Sequence, residues 1–210
     1  MARVLLIRHG ETSWNRERRW QGHADVALSP AGLAQATRLA AHLLTQHAGI
    51  ARIYSSDLRR ASDTASEVAR VLGVPLTIDR SWREIRVGRW TGLNREEIQK
   101  RFAAEWQRIV AGEDLPRGGG ETFGEFSTRA VTALAALAAE HAGETVAVVT
   151  HGGVIRALLL YALGLPFERL REVSRVANTA LTELVSNGGG WTVLRRNDLP
   201  HLDGAAAVPG

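Results

Sequence analysis

Two histidines of this chain stand in the same setting. His9 follows the apolar run VLLIR and precedes Gly10, and His151 follows TVAVVT and precedes Gly152. An imidazole near neutral pH can act as a nucleophile or carry a proton. The residue before His9 is Arg8, whose planar donor fork matches the oxygens of a phosphate. Gly10 lets the chain turn away with no side chain in the path, and the stretch after His151 reads as a helix whose first amides can receive an anion. Taken singly, a histidine at a strand end is a hydrogen-bonding residue and an arginine is half of an ion pair. Together, the two His-Gly steps point to a shared anion pocket, provided the two strands end side by side.

The elements that must position these residues follow from apolar patterning. Residues 3–8 and 145–150 are continuous apolar runs, as in strands buried on both faces. Further strands are expected at 51–55 and near 76–78, with a closing hairpin of 179–185 and 191–195 about Gly188 to Gly190. The segment LSPAGLAQATRLAAHLL starts as a helix should, with Ser29 as cap, Pro30 at the first helical position and Leu28 stapled onto Leu33. Other helices are expected over about 58–72, about 94–111, from a Thr122–Glu125 capping box to about 141, and from His151 to the Gly164/Pro166 stop. Alternating strands and helices imply an α/β three-layer sandwich with a mostly parallel central sheet, and in such sheets ligands gather beyond the carboxyl ends of the strands. We expect one domain over residues 1–203 and a loose tail over 204–210.

Composition narrows the classes of function. The chain has 210 residues, 45% of them apolar, enough for a sizeable core. With no cysteine there are neither disulfides nor thiolate chemistry, and no run is long and apolar enough for a membrane span. The formal charge of +4 comes from arginines spread among acids, with Lys100 the only lysine. That spread argues against nucleic acid as a partner. There is no HExxH pattern, Walker A loop or GxSxG elbow, so neither a metal nor another cofactor is expected. A cytoplasmic setting is expected, and a homodimer is left open.

LIRHGET, SSDLRRASDTA, REIRVGRWTGL and VVTHGGVIRALL, in that order, together resemble the histidine phosphatase superfamily, which includes the phosphoglycerate mutases and many small phosphatases. The resemblance implies a phosphoglycerate mutase-like fold and a small phosphorylated metabolite as substrate. It implies that His9 is a nucleophile passing through a phosphohistidine, and that Arg8, Arg60 and His151 surround the phosphoryl group. Arg60 is preferred to Arg59 because it directly precedes Ala-x-x-Thr-Ala. Glu84 matches the family's proton donor; by itself it reads as a loop carboxylate paired with Arg83 or Arg86. Asn15, Gln21, Gly22 and Gly152 match positions lining the phosphate. Trp14, Trp20, Trp90 and Trp106 are expected as pocket walls, with Trp90 at the substrate entrance. His23, His42, His47, His141 and His201 receive no role and are read as mostly solvated.

Within the family the fork is between transfer to water and transfer to a second phosphorylated substrate. Mutases carry Glu-Arg-His-Tyr-Gly and His-Gly-Asn blocks and an insertion with paired arginines. Here the blocks read EIRVG and HGG, and no arginine pair lies between Lys100 and Pro116. These departures favour a metal-independent phosphatase. GLNR, close to the mutase Gly-Leu-Asn-Lys, keeps a 2,3-bisphosphoglycerate-dependent mutase as the alternative. A non-catalytic phosphate-binding module is the third reading, disfavoured by the presence of His9, Glu84 and His151.

Overall fold

The computed structural model describes residues 1–47 and 49–202; the expected loose tail over 204–210 lies outside them. Among the described residues, six strands form one sheet: β1 (Arg3–Arg8), β2 (Ile50–Ser55), β3 (Leu76–Ile78), β4 (Thr145–Thr150), β5 (Leu181–Ser186) and β6 (Trp191–Asp198), in the order β3-β2-β4-β1-β5-β6. β1, β2, β3 and β4 are mutually parallel, and β5 and β6 complete the sheet with antiparallel pairings.

Seven α-helices among the described residues accompany the strands: α1 (Ser13–Arg16), α2 (Pro30–Gln46), α3 (Arg59–Leu72), α4 (Arg95–Arg101), α5 (Ala103–Val110), α6 (Phe123–Glu140) and α7 (Gly152–Ala162). Leu5 and Ile7 of β1, with Ala147 and Val149 of β4, face Leu39 and Leu43 of α2 and Ala61, Ala65 and Val68 of α3. Val4, Leu6, Val146 and Val148 face the other way, onto α6 and α7. The central strands are apolar on both faces because each face carries its own helical layer. The result is the expected α/β sandwich.

Local rules set several boundaries. Ser29 caps α2 by accepting from the Gly32 amide, and Thr122 and Glu125 form the capping box of α6. The staple does not form: Leu33 is 55% exposed, and Leu28 turns instead towards Gly10. The single helix expected over 94–111 is broken at Phe102, whose φ of −131° and ψ of 41° leave helical geometry. An unbroken helix would set Trp106 about 80° round from Ile98. The break lets Ile98 bury completely while Trp106 packs on Trp90.

Candidate active site

β1 and β4 are hydrogen-bonded neighbours whose last residues, Arg8 and Thr150, stand in register. The next residue on each strand is therefore a histidine, and the His9 amide donates to the Thr150 carbonyl at 2.9 Å. The two rings lie 5.2 Å apart between centroids, nearly edge to face. Both are buried, at 3% and 0% exposure.

Their hydrogen bonds assign opposite tautomers. His9 Nδ1 lies 2.7 Å from the Gly10 carbonyl, which can only accept, so Nδ1 carries the proton and Nε2 keeps its lone pair. His151 Nδ1 accepts from Arg60 Nε at 3.2 Å, so its proton sits on Nε2, which has no partner within the protein. One ring thus offers a nucleophilic nitrogen and the other a donor. Both pKa values are held well below the ordinary histidine value, first by burial and then by the guanidinium of Arg60. Unfolded, the same histidines take up protons near pH 6.5, so below that value the unfolded state binds more protons and the fold loses stability. We expect Tm to fall between pH 7 and pH 5, and by less in His151→Phe, as read by differential scanning calorimetry.

Arg60 arises from the first turn of α3, whose small residues Ala61, Ala65 and Ala69 bring the helix onto the sheet. Its guanidinium is 1% exposed and pinned by three bonds: Nε to His151, Nη1 to the Ala24 carbonyl at 2.7 Å, and Nη2 to the Gly22 carbonyl at 2.8 Å. Thr64, one turn on, accepts from the Gly10 amide at 3.0 Å and so ties α3 to the residue after His9. Arg8 donates through Nη1 to the Val176 carbonyl at 2.6 Å, while its Nε is buried without a protein partner beside Gly152. Burial lowers the pKa of both arginines to about 10. They remain cations at neutral pH, in a setting that favours an arriving anion.

Glu84 lies on the irregular segment between β3 and α4. Thr150 Oγ1 holds this segment through the Trp82 carbonyl at 2.7 Å, and Arg129 of α6 holds it through the Ser81 and Arg83 carbonyls. His23 Nε2 donates to the Glu84 carbonyl at 2.8 Å. The Glu84 side chain accepts from its neighbour Ile85 at 2.9 Å and from the Gly153 amide at 3.0 Å, at the start of α7. The alternative pairing with Arg83 is absent, because Arg83 grips Asp57 with two bonds of 2.6 and 2.7 Å. A Cβ on Gly153 would come 2.0 Å from Glu84 Oε1. Gly153→Ala is therefore expected to displace the carboxyl and lower kcat on alkyl phosphates by about 10²-fold, with helix content by circular dichroism unchanged.

The softer assignments divide. Gly22, at φ +48°, contributes its carbonyl to Arg60 and so supports the pocket through that residue. Gln21 is buried and donates to Thr12 Oγ1 at 2.8 Å. Asn15 closes the capping box of α1 with Thr12 and accepts from Asn178 at 3.3 Å. Trp90 is not at an entrance: it is fully buried, with Trp20 at 5.5 Å and Trp106 at 5.9 Å. Nor are the remaining histidines solvated. His141 is 7% exposed and bonded to Tyr54 and Glu144, and His23, His42, His47 and His201 are half-buried.

The sequence reading missed Asn178, which donates to the His9 carbonyl at 2.9 Å, and its neighbour Thr179. The Thr179 amide donates to the Arg8 carbonyl at 3.0 Å from a left-handed backbone, φ +59°, unusual for a β-branched residue. The one available signal was a polar Asn-Thr step before an apolar strand. Among the described residues, no group of three or more histidine, aspartate or glutamate side chains is placed to hold a metal ion.

Comparison with known proteins agrees with this geometry. The sequence model of the histidine phosphatase superfamily (branch 1) matches residues 4–199. Phosphoglycerate mutase-like protein 4 of Arabidopsis thaliana is 39% identical over 207 residues, 96% of this chain and 87% of the relative. The metal-independent phosphoserine phosphatase of the same plant is 33% identical over 203 residues, 95% and 82% of the two chains. Among solved structures, the mycobacterial glucosyl-3-phosphoglycerate phosphatase in complex with VO3 superposes with a TM-score of 0.84 at 30% identity, covering 93% of this chain and 98% of that one. The Entamoeba histolytica phosphoserine phosphatase with 3-phosphoglyceric acid gives 0.87 at 28%, covering 96% and 100%. Motif order, sheet order and the convergence of both histidines with Arg8 and Arg60 thus agree with a match over nearly the whole length: the chain belongs to the histidine phosphatase superfamily.

Proposed function

We propose that the protein is a metal-independent phosphomonoester hydrolase that passes a phosphoryl group from a small phosphorylated metabolite to His9 and then to water, with residues 1–203 acting as one cytoplasmic domain. The observation that carries this reading is the tautomer pair on rings 5.2 Å apart, with His9 Nε2 unprotonated and His151 Nε2 carrying a proton, beside the buried guanidiniums of Arg8 and Arg60. In the first step the His9 Nε2 lone pair attacks phosphorus and the P–O ester bond breaks. The departing alkoxide takes the proton of Glu84. In the second step water attacks phosphorus, giving a proton to the Glu84 carboxylate while the P–N bond breaks and His9 recovers its lone pair. Arg8, Arg60 and His151 face the charge on the equatorial oxygens, the role a metal ion fills in other phosphoryl-transfer sites.

The phosphatase is favoured over the mutase by the departures from the mutase blocks at EIRVG and HGG and by the lack of an arginine pair between Lys100 and Pro116. At one of these departures, Gly153, the backbone amide donates to the Glu84 carboxyl at 3.0 Å. Two of the similar proteins reported above are named as phosphoserine phosphatases and one as a glucosyl-3-phosphoglycerate phosphatase, which supports hydrolysis of small phosphorylated acids or their derivatives. Incubation with p-nitrophenyl phosphate in EDTA tests the reading. Full turnover in EDTA is expected; loss in EDTA that added divalent metal restores contradicts it.

A further inference from the structure

Of the histidines to which the sequence assigns no role, His23 is bonded directly to Glu84. It is half-buried, and burial holds its pKa below the ordinary histidine value, so the ring is neutral near pH 7. Its proton sits on Nε2, which donates to the Glu84 carbonyl at 2.8 Å. The loop that carries His23 also holds Arg60: the carbonyls of its two neighbours, Gly22 and Ala24, accept from Arg60 Nη2 and Nη1 at 2.8 and 2.7 Å. This loop lies directly on the segment after Glu84. A Cβ on Gly22, at φ +48°, would come 2.7 Å from Val87 Cγ2 and 3.3 Å from the Ile85 carbonyl oxygen. Three consecutive residues thus touch both the arginine assigned to the phosphoryl group and the acid assigned to the leaving group.

The carbonyl that His23 takes belongs to the peptide that orients the acid. In the Glu84–Ile85 peptide the C=O accepts from His23 and the N–H donates to Glu84's own Oε1 at 2.9 Å, while Oε2 accepts from the Gly153 amide at 3.0 Å. A rotation of that peptide would carry the Ile85 N–H away from Oε1 and leave the carboxyl held at one oxygen. Arg129 Nη2 stands farther from the same carbonyl, at 3.5 Å, and is committed to Glu121, while Nη1 serves the Ser81 and Arg83 carbonyls. The short bond from the ring therefore sets the plane of the peptide. A donor on the C=O also polarises the N–H on the other side, so the two bonds reinforce each other. The loop keeps anchors of its own that do not involve the ring: the Ala24 amide donates to the Gln21 carbonyl at 2.9 Å, Gln21 donates to Thr12, and Asp25 accepts from the Arg59 amide at 2.8 Å. Removing the ring should release Glu84 and leave Arg60 in place.

We propose that His23 is a positioning residue, a strut whose Nε2–H fixes the Glu84–Ile85 peptide and thereby aims the Glu84 carboxyl at the leaving-group oxygen. This deepens the phosphatase reading and rests on it for the role of Glu84. A half-buried histidine on a carbonyl is ordinarily a tie between two loops. Here the carbonyl belongs to the acid itself, and the N–H of the same peptide holds the acid's side chain. Such a strut needs a directed N–H at the position of Nε2, and neither a charge nor an aromatic ring. Glutamine supplies that N–H from a side chain of similar reach, and leucine does not.

The test compares phenyl phosphate with p-nitrophenyl phosphate, two esters of similar shape whose phenolates leave with different ease, on the wild type, His23→Leu, His23→Gln, Glu84→Gln and the variant carrying both His23→Leu and Glu84→Gln. The readout is kcat/KM, which covers the step in which the phenolate departs. His23→Leu should lose about 30-fold on phenyl phosphate and about threefold or less on p-nitrophenyl phosphate, and His23→Gln should stay within about threefold of the wild type on both. In the Glu84→Gln background, His23→Leu should cost about threefold or less on phenyl phosphate, since the group it positions is already gone. Calorimetric titration of inorganic phosphate should give His23→Leu the wild-type affinity within about twofold, because Arg60 keeps its partners. The amide proton resonances of Ile85 and Gly153 report the docked carboxyl without turnover: both should move upfield in His23→Leu and stay in place in His23→Gln. Equal loss on both esters in His23→Leu, loss of phosphate binding, no recovery in His23→Gln, or an undiminished effect in the Glu84→Gln background overturns the assignment. Leaving-group-dependent loss in Glu84→Gln without any in His23→Leu overturns the strut and leaves the phosphatase reading standing. The expected amide shifts, with neither ester hydrolysed by the wild type, support the strut and overturn the phosphatase reading alone.

Discussion

Substitution of His9 by alanine is expected to lower kcat by at least about 10⁴-fold on every phosphomonoester, because in the proposed mechanism it removes the nucleophile and not merely a contact. The size follows from the local chemistry. His9 Nε2 is held unprotonated by the Nδ1–H bond to the Gly10 carbonyl, and burial beside Arg60 and Arg8 keeps the ring neutral far into acid. No second imidazole takes its place as nucleophile once that nitrogen is gone, because His151 Nδ1 accepts from Arg60 Nε and its Nε2 carries the proton. His9→Asn tests the same point at similar volume and should be equally inactive. Both variants should still bind inorganic phosphate, because Arg8, Arg60 and the His151 Nε2–H remain, and calorimetric titration reads this directly. Loss of phosphate binding together with turnover would mean that residue 9 holds the pocket open rather than reacting.

Glu84→Gln is expected to have the second-largest effect, and one that depends on the leaving group. An alkoxide departs slowly without a proton, so hydrolysis of alkyl phosphates should fall by about 10³-fold, within the range of general acid catalysis. Nitrophenolate departs readily unprotonated, so p-nitrophenyl phosphate should lose about tenfold in its first step. Structurally the change is small but not silent. Both carboxyl oxygens accept from backbone amides, at Ile85 and Gly153, and the glutamine NH2 must face one of those N–H groups. A Tm measurement therefore accompanies the kinetics. Equal loss on both esters would assign Glu84 to binding or folding instead of proton transfer.

The parts of the site that lie at strand ends were legible in the sequence. Continuous apolar runs marked β1 and β4, and the histidine-glycine steps marked where they stop; parallel neighbours in register then bring His9 and His151 together. Arg60 was separable from Arg59 because it directly precedes Ala-x-x-Thr-Ala, as the family resemblance requires, and in the structure the threonine of that pattern, Thr64, accepts from the Gly10 amide. Features that depend on how distant surfaces meet were not legible. Trp90, next to a substrate-side block in sequence, is turned inward by Trp20 and Trp106. Phe102 interrupts a pattern that reads as one helix, and the break lets Ile98 bury while the half-buried Trp106 packs on Trp90. Asn178 lies 169 residues from His9, and no local period announces its bond to that carbonyl. The buried histidines were misread for the same reason: His141 ends a helix, where solvent is the usual neighbour, but Tyr54 and Glu144 close over it.

Rapid quench of the wild type during turnover of a ³²P-labelled phosphomonoester, followed by peptide mapping, addresses the covalent step most directly. The geometry predicts alkali-stable, acid-labile label on the peptide containing His9, attached at Nε2, forming and decaying fast enough to account for turnover. Steady hydrolysis with no protein-bound label at any quench time, or label on His151 instead, would contradict it.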